Sequence, residues 1–231
     1  MNTQAVILAA GMGTRLGARP WPKPLTPLAD GRTIMGQQME NLQGAFGTDL
    51  RVMIVVGFKL EMILEAFPDV TYAYNEAFNE TNTNRSLLKA LRLASDGGVL
   101  WLNGDVVFDP EVLERTKPLI AAGQSFVCVN TAAVGDEEVK YTVHADGHIN
   151  ALSKQVNPAL GEAVGINFIA QADRATFIRG LEACADGDYF ERGLEIAIER
   201  DDLKVLPLDI TDLFAVEVDF EEDLSRANLH L

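Results

Sequence analysis

Residues 5–17 read AVILAAGMGTRLG: a short apolar run rich in β-branched residues that breaks directly into a glycine-rich turn. The run predicts a buried strand, and the backbone N–H groups of the turn can cradle phosphates. Further runs bounded by Gly, Asn or Asp recur at 51–58 (RVMIVVGF), 98–105 (GVLWLNGD) and 125–130 (SFVCVN). Between them lie helical patterns at 33–46, 86–94 and 110–123. Strand alternating with helix predicts an α/β fold with a mainly parallel sheet and helices on both faces. Residues 140–153 (KYTVHADGHINALS) alternate with period two around Asp146-Gly147, which predicts an antiparallel hairpin insertion with a type I′ turn. A strand at 163–170, a helix at 172–184, a helical FERGLEIAIER, a strand at 214–220 and a closing helix complete the expected order.

The chain of 231 residues, 48% hydrophobic, is expected to form one domain, 1–231, around a continuous core. It shows no 20-residue apolar span and no signal-peptide pattern at its start, so a cytoplasmic location is expected. Cys128 and Cys184 lack metal-ligand spacing and read as small buried hydrophobes. A net charge of -15 argues against nucleic acid or an anionic membrane as partner. The excess is uneven. Residues 1–100 hold nine basic and nine acidic side chains, residues 101–231 ten and twenty-five. A polyanionic ligand fits the neutral part, with a cation bridging it to carboxylates of the acidic part. His144, His148 and His230 are scattered, without zinc or triad geometry.

Four segments carry chemistry. In the glycine turn a dinucleotide-binding G-x-G-x-x-G is missing its third glycine, since Leu16 stands there, and no G-K-[ST] marks a P-loop. Arg15 within the turn supplies a fork of donors suited to phosphate oxygens. In RPWPKPLTPL (19–28), four prolines hold an extended loop around Lys23, whose point charge suits a phosphate that gains charge during transfer. Asp105 follows a hydrophobic strand at its carboxyl end, where open α/β sheets bind ligands, and is a natural magnesium ligand. In FAVEVDF (214–220) an extended strand would aim Glu217 and Asp219 at one face, within reach of one cation. Glu221, Glu222 and Asp223 favour a helix dipole instead.

G-x-G-T-R-L followed by a K-P-L loop, a G-D strand end and an E-V-D strand resembles the sugar-phosphate nucleotidyltransferase superfamily along essentially the whole chain. The resemblance implies a three-layer, Rossmann-like nucleotidyltransferase fold that joins a nucleoside monophosphate to a small phosphorylated substrate, with Mg2+, and releases pyrophosphate. It assigns catalysis to Arg15 and Lys23, and nucleotide binding to these two with Leu8, Ala10, Gly11, Gly13, Thr14 and Gly104. The metal falls to Asp105, Glu217 and Asp219. NETNTNRSLLKAL (79–91) looks like the N-x-x-S-L stretch of the phosphocholine and alcohol-phosphate cytidylyltransferases, which adds Asn84 and Ser86 on the base and favours CTP. The same branch places Lys140, Lys154, Glu162, Tyr189 and Glu191 on the acceptor side. Nucleotide binding then belongs to about 1–110 and acceptor binding to about 111–231, with a homodimer as the base-rate assembly. Two other readings stay open. One is a sugar-1-phosphate nucleotidyltransferase making an NDP-sugar, and the other a non-catalytic nucleotide-binding module.

Overall fold

The computed structural model describes residues 3–17, 19–132, 134–135 and 138–231. In chain order these form β1 (Thr3–Ala9), α1 (Ile34–Phe46), β2 (Arg51–Val56), α2 (Leu60–Ala66), β3 (Thr71–Tyr74), α3 (Thr83–Leu93), β4 (Gly98–Asn103), β5 (Val106–Phe108) and α4 (Pro110–Ala122). There follow β6 (Phe126–Asn130), β7 (Lys140–Val143), β8 (Ile149–Ser153), β9 (Gly161–Ile169), α5 (Gln171–Glu182), α6 (Phe190–Asp201), β10 (Leu206–Asp209), β11 (Ala215–Glu217) and α7 (Glu221–His230).

The main sheet runs β10-β6-β9-β4-β1-β2-β3, with the hairpin β7–β8 attached through β9. Successive residues of β1 point to opposite faces and join different cores. Val6 and Leu8 pack with α3, α5 and α6, whereas Ala5, Ile7 and Ala9 pack with α1, α2 and α4. The three expected layers follow from that alternation. Trp101 of β4, fully buried, anchors the first face, with its ring 5.5 Å from those of Phe177 and Phe190. Burying each such phenylalanine contributes roughly 1.5–3 kcal/mol.

Strand order decides where a ligand sits. β1 pairs in parallel with β2 on one side and with β4 on the other, so the chain winds out through β2 and β3 and returns to the far side of β1. This reversal opens a crevice beyond the carboxyl ends of β1 and β4, where the glycine turn and the Gly104-Asp105 turn emerge. β9 runs antiparallel to both β4 and β6 and closes the crevice toward the hairpin.

The hairpin differs from expectation in its turn. A type I′ turn needs positive φ at both central residues, yet only Gly147 is left-handed here, at φ 85°. The N–H of Gly147 donates to the carbonyl of His144, and that of His144 to the carbonyl of His148, which makes a three-residue connection. The strand expected at 214–220 is also shorter. It pairs with β5 over Ala215–Glu217 and then turns, with the N–H of Asp219 donating to the carbonyl of Glu217 at 3.2 Å. No helix among the described residues is long and apolar enough to cross a membrane.

Candidate active site

Beyond β1 the backbone bends at Gly13, held at φ 60°, ψ 40°, into a short 3-10 turn over Thr14–Leu16. A Cβ added to Gly13 would lie 2.7 Å from the Cβ of Lys23, so both the backbone angle and the close approach require glycine. Leu16 is buried with Ile34, Val107 and Val216, which pins the turn to the body of the protein. Lys23, the first residue of a second 3-10 turn (Lys23–Leu25), is 9% exposed. Its ammonium donates to Asp105 Oδ2 at 2.6 Å and to Asp219 Oδ1 at 2.5 Å. Burial by itself lowers the Lys23 pKa, but the two carboxylates outweigh it and raise the value above that of an ordinary lysine. Arg15, half-exposed, reaches the other oxygen of Asp219 at 2.9 Å and lies 5.9 Å from the centre of the Phe220 ring.

The carboxylates come from separate segments. Asp105 follows β4 on a turn fixed by two backbone bonds: Gly104 N–H donates to the Leu8 carbonyl, and Val218 N–H to the Asp105 carbonyl, both at 2.9 Å. Glu217, at the end of β11, accepts from Asn103 Nδ2 at 2.9 Å. Room for it is made by Gly165 of β9, at φ 70°, where a Cβ would stand 2.5 Å from Glu217 Oε1. Burial, followed by the charges of Asp105 and Glu138, holds the Glu217 carboxyl well above the usual range. Asp105 Oδ1 is buried and has no hydrogen-bond partner. An orphaned carboxylate oxygen beside an acid that resists ionisation is a donor set suited to a hard divalent cation, which would supply the missing charge. Among the described residues no three or more His, Cys, Asp or Glu side chains are grouped to hold a metal by themselves. Magnesium needs only one or two protein carboxylates when phosphates complete its shell, and Asp105 and Glu217 fit that need. Asp219 is engaged by Lys23 and Arg15, in the turn after the strand.

These groups line one cleft of about 310 Å³ together with Leu8, Gly11, Gly13, Thr14 and Gly104. Its far wall is built from Glu138, Lys154, Tyr189, Phe190 and Glu191. The Lys154 ammonium lies 5.2 Å from the Tyr189 ring centre. Glu191 is buried, its Oε2 has no hydrogen-bond partner, and its carboxyl is pushed up to about 7, first by burial and also by the nearby Glu195, with Lys154 pulling the other way.

Five residues assigned from the sequence do not line the cleft. Ala10 lies behind the turn, its carbonyl accepting from Phe58 N–H. Asn84 is buried in α3 and donates to the Ala185 carbonyl at 2.7 Å, and Ser86 accepts from Asn75 Nδ2 at 3.0 Å. The cleft is lined instead by Asn82 and Thr83, the two residues just before Asn84, where α3 begins. Thr83 Oγ1 accepts from Phe190 N–H, which joins that helix start to the far wall. Lys140 and Glu162 stand opposite each other in the β7–β9 ladder, and Glu162 accepts from Gly135 N–H at 2.8 Å. Sequence reasoning also passed over Asn103 and Glu138. Asn103 had a usable signal, an amide directly before the Gly104-Asp105 turn.

The chain belongs to the MobA-like NTP transferase domain family, whose model matches residues 5–175, and is therefore a nucleotidyltransferase by family. It is 42% identical over 120 residues to a CMP-5'-(3-aminopropyl)phosphonate synthase of Streptomyces rubellomurinus, covering 48% of this chain and 18% of the relative. It is 34% identical over 128 residues to a bifunctional protein GlmU of Methanococcus vannielii, covering 53% of this chain and 29% of the relative. The matched segments thus span less than a third of the length of either curated relative. Among solved structures, a CTP:phosphocholine cytidylyltransferase from Streptococcus pneumoniae superposes with a TM-score of 0.75 at 17% identity, covering 100% of this chain and 99% of that one.

Proposed function

We propose that the chain is a magnesium-dependent cytidylyltransferase that transfers CMP from CTP to a small, amine-bearing phosphonate or alcohol phosphate and releases pyrophosphate. The observation that carries this reading is the meeting of Lys23, Asp105, Glu217 and Asp219, from separate segments, at the carboxyl ends of β1 and β4. The relative named a CMP-aminopropylphosphonate synthase supports the nucleotide and the acceptor class. The far wall supports the amine: a cation there would meet the buried Glu191 carboxyl, whose Oε2 has no hydrogen-bond partner, beside the Tyr189 ring that the Lys154 ammonium already approaches.

In the reaction an anionic oxygen of the acceptor attacks the α-phosphorus. The new P–O bond forms as the bond to the bridging oxygen of the β-phosphate breaks, and pyrophosphate leaves with that electron pair. The nucleophile is already ionised at neutral pH, so the protein's task is alignment and charge neutralisation rather than proton transfer. Magnesium, when bound by Asp105 and Glu217, supplies positive charge to the phosphate oxygens. The incoming triphosphate competes with Asp105 and Asp219 for Lys23 and Arg15, so both cations are already placed where its charge arrives. Residues 1–110 hold most of the nucleotide groups and 111–231 the acceptor groups, with Glu217 and Asp219 returning to the first part.

The test is pyrophosphate release with magnesium and each of CTP, UTP, ATP, GTP and dTTP. The acceptor panel is aminoalkylphosphonates, phosphocholine, phosphoethanolamine, glycerol phosphate and hexose-1-phosphates. CTP with an amine-bearing acceptor is the expected pair. Turnover confined to a hexose-1-phosphate would overturn the proposed acceptor.

A further inference from the structure

Three polar side chains on α1, Gln37, Gln38 and Asn41, are buried, although a helix packed against a sheet would ordinarily present apolar groups there. All three donate into the stretch that carries Asp105. Gln38, fully buried, donates through one nitrogen to two carbonyls, those of Asn103 and Val106, each at 2.8 Å. Gln37 and Asn41 both donate to the carbonyl of Phe108, at 2.6 and 2.9 Å. The two carbonyls held by Gln38 bracket Gly104 and Asp105.

Four peptide groups of this turn are thus anchored on three sides. Gly104 is held to β1 through Leu8, Asp105 to the 217–219 segment through Val218, and Asn103 and Val106 to α1 through Gln38. The first two anchors are backbone to backbone and survive any side-chain change. Gln38 is the anchor that a substitution can remove. The same turn sets the second carboxylate, because the side chain of Asn103 holds Glu217 from the residue whose carbonyl Gln38 grips.

We infer that Gln38 is a positioning residue for the divalent-cation site: by bridging the Asn103 and Val106 carbonyls it fixes Asp105 directly and Glu217 through Asn103. The inference rests on the proposed reading of Asp105 and Glu217 as cation ligands. Gln38 does not line the cleft. Its effect is on geometry: a turn freed from α1 widens the range of Asp105–Glu217 separations, and a hard cation that demands near-ideal coordination loses most.

The experiment measures Mn2+ binding to the intact protein saturated with a non-hydrolysable CTP analogue, whose phosphates complete the cation's shell, from the Mn2+ electron paramagnetic resonance signal against a protein-free blank of ion and analogue. It compares the wild type, Asp105→Asn, Gln38→Met and Gln37→Met. Gln37→Met is the control, because it empties an equally buried amide of the same helix whose acceptor lies at Phe108, beyond the turn. Wild-type binding that Asp105→Asn abolishes places the ion at the proposed site. On that background Gln38→Met is expected to weaken Mn2+ by roughly 10–100-fold, the usual effect of losing a group that orients a metal ligand. Gln37→Met is expected to leave it within about twofold. Affinity unchanged in Gln38→Met, or equally weakened in both variants, would overturn the inference while leaving the site reading intact. No Asp105-dependent binding in the wild type would remove the site reading and the inference with it. Should Gln38→Met fail to fold, Gln38→Asn, which keeps the amide but shortens its reach by one carbon, takes its place with the same expected weakening.

Discussion

The wall that carries Lys23 and the wall that carries Glu191 face one cleft but are assembled differently. On the first, Arg15, Asp105 and Asp219 issue from turns that follow strands, Glu217 ends β11 and Lys23 opens a short 3-10 turn, and the segments are bonded backbone to backbone across Leu8, Gly104, Asp105 and Val218. Charges there are opposed in pairs, Lys23 and Arg15 against Asp105 and Asp219. On the second, a hairpin appended to β9 meets the start of α6, and the contacts run through side chains, such as Lys154 over Tyr189 and Thr83 accepting from Phe190. Its most buried acid, Glu191, lacks a partner on one oxygen. A rigid, charge-paired wall suits a reacting centre that every substrate shares. A wall joined by side chains can be retuned residue by residue, which is what acceptor specificity needs.

The contrast predicts where substitutions act, and the largest effects belong to the first wall. Lys23→Ala and Asp105→Ala are expected to lower turnover by about 10²–10³-fold or more with the fold retained, checked by steady-state kinetics and circular dichroism. A tenfold or smaller loss in a folded variant would count heavily against the reacting centre assigned here.

Gly165→Ala tests how little room the first wall leaves. The new Cβ would stand 2.5 Å from Glu217 Oε1 at a left-handed backbone angle, so we expect a stability loss of about 1–3 kcal/mol in urea unfolding. Turnover should also fall and be partly restored by raising the magnesium concentration if Glu217 holds the cation as proposed.

Glu191→Gln sharpens the comparison from the other side. With an amine-bearing acceptor, its KM should rise about tenfold while that for the nucleotide stays put. The acid also carries a pH signature. Its folded pKa, about 7, lies above the ordinary 4.5, so between these values the folded state keeps a proton that the unfolded chain has lost. Stability should therefore fall as pH rises from about 4.5 to 7 and stay level above that. Glu191→Gln should remove that decline, leaving the variant about 1–3 kcal/mol closer to or above the wild type at pH 8 than at pH 5, as read by denaturant unfolding.

The smallest effect separates Asn82 from Asn84. Asn84→Ala should cost about 1 kcal/mol of stability, through the lost bond to the Ala185 carbonyl, without changing nucleotide KM. Asn82→Ala, at the cleft, should raise nucleotide KM several-fold. If Asn84→Ala moves nucleotide KM instead, the placement of the α3 start within the site is wrong.

Much of the first wall could be read directly. Gly13, Arg15, Lys23 and Asp105 lie in short contiguous segments where local turn chemistry and side-chain type already imply the geometry. Glu217 and Asp219 both line the cleft, although the strand expected to carry the pair stops at Glu217 and a tight turn carries Asp219. On the second wall Lys154, Tyr189 and Glu191 reach the cleft, whereas Lys140 and Glu162 do not. Ladder register separates them, and alternation along a strand does not reveal which neighbour it will pair with. The Asn82–Asn84 difference is of the same kind: both precede an apolar helical run and both donate to a carbonyl of the 185–187 segment, and only the docking of α3 there decides which of the two also lines the cleft.

By itself the sequence determined the α/β alternation, the glycine-rich turn after β1 and the identity of the cations and acids proposed for the reacting centre, since these depend on periodicity and on residues close in the chain. The tertiary structure decided how they meet: that β1 lies between β2 and β4, that Gly165 makes room for Glu217, and that Gln38 grips a turn 65 residues away. Such contacts join segments whose spacing along the chain carries no local signal, and they exist only once the sheet has brought its strand ends together.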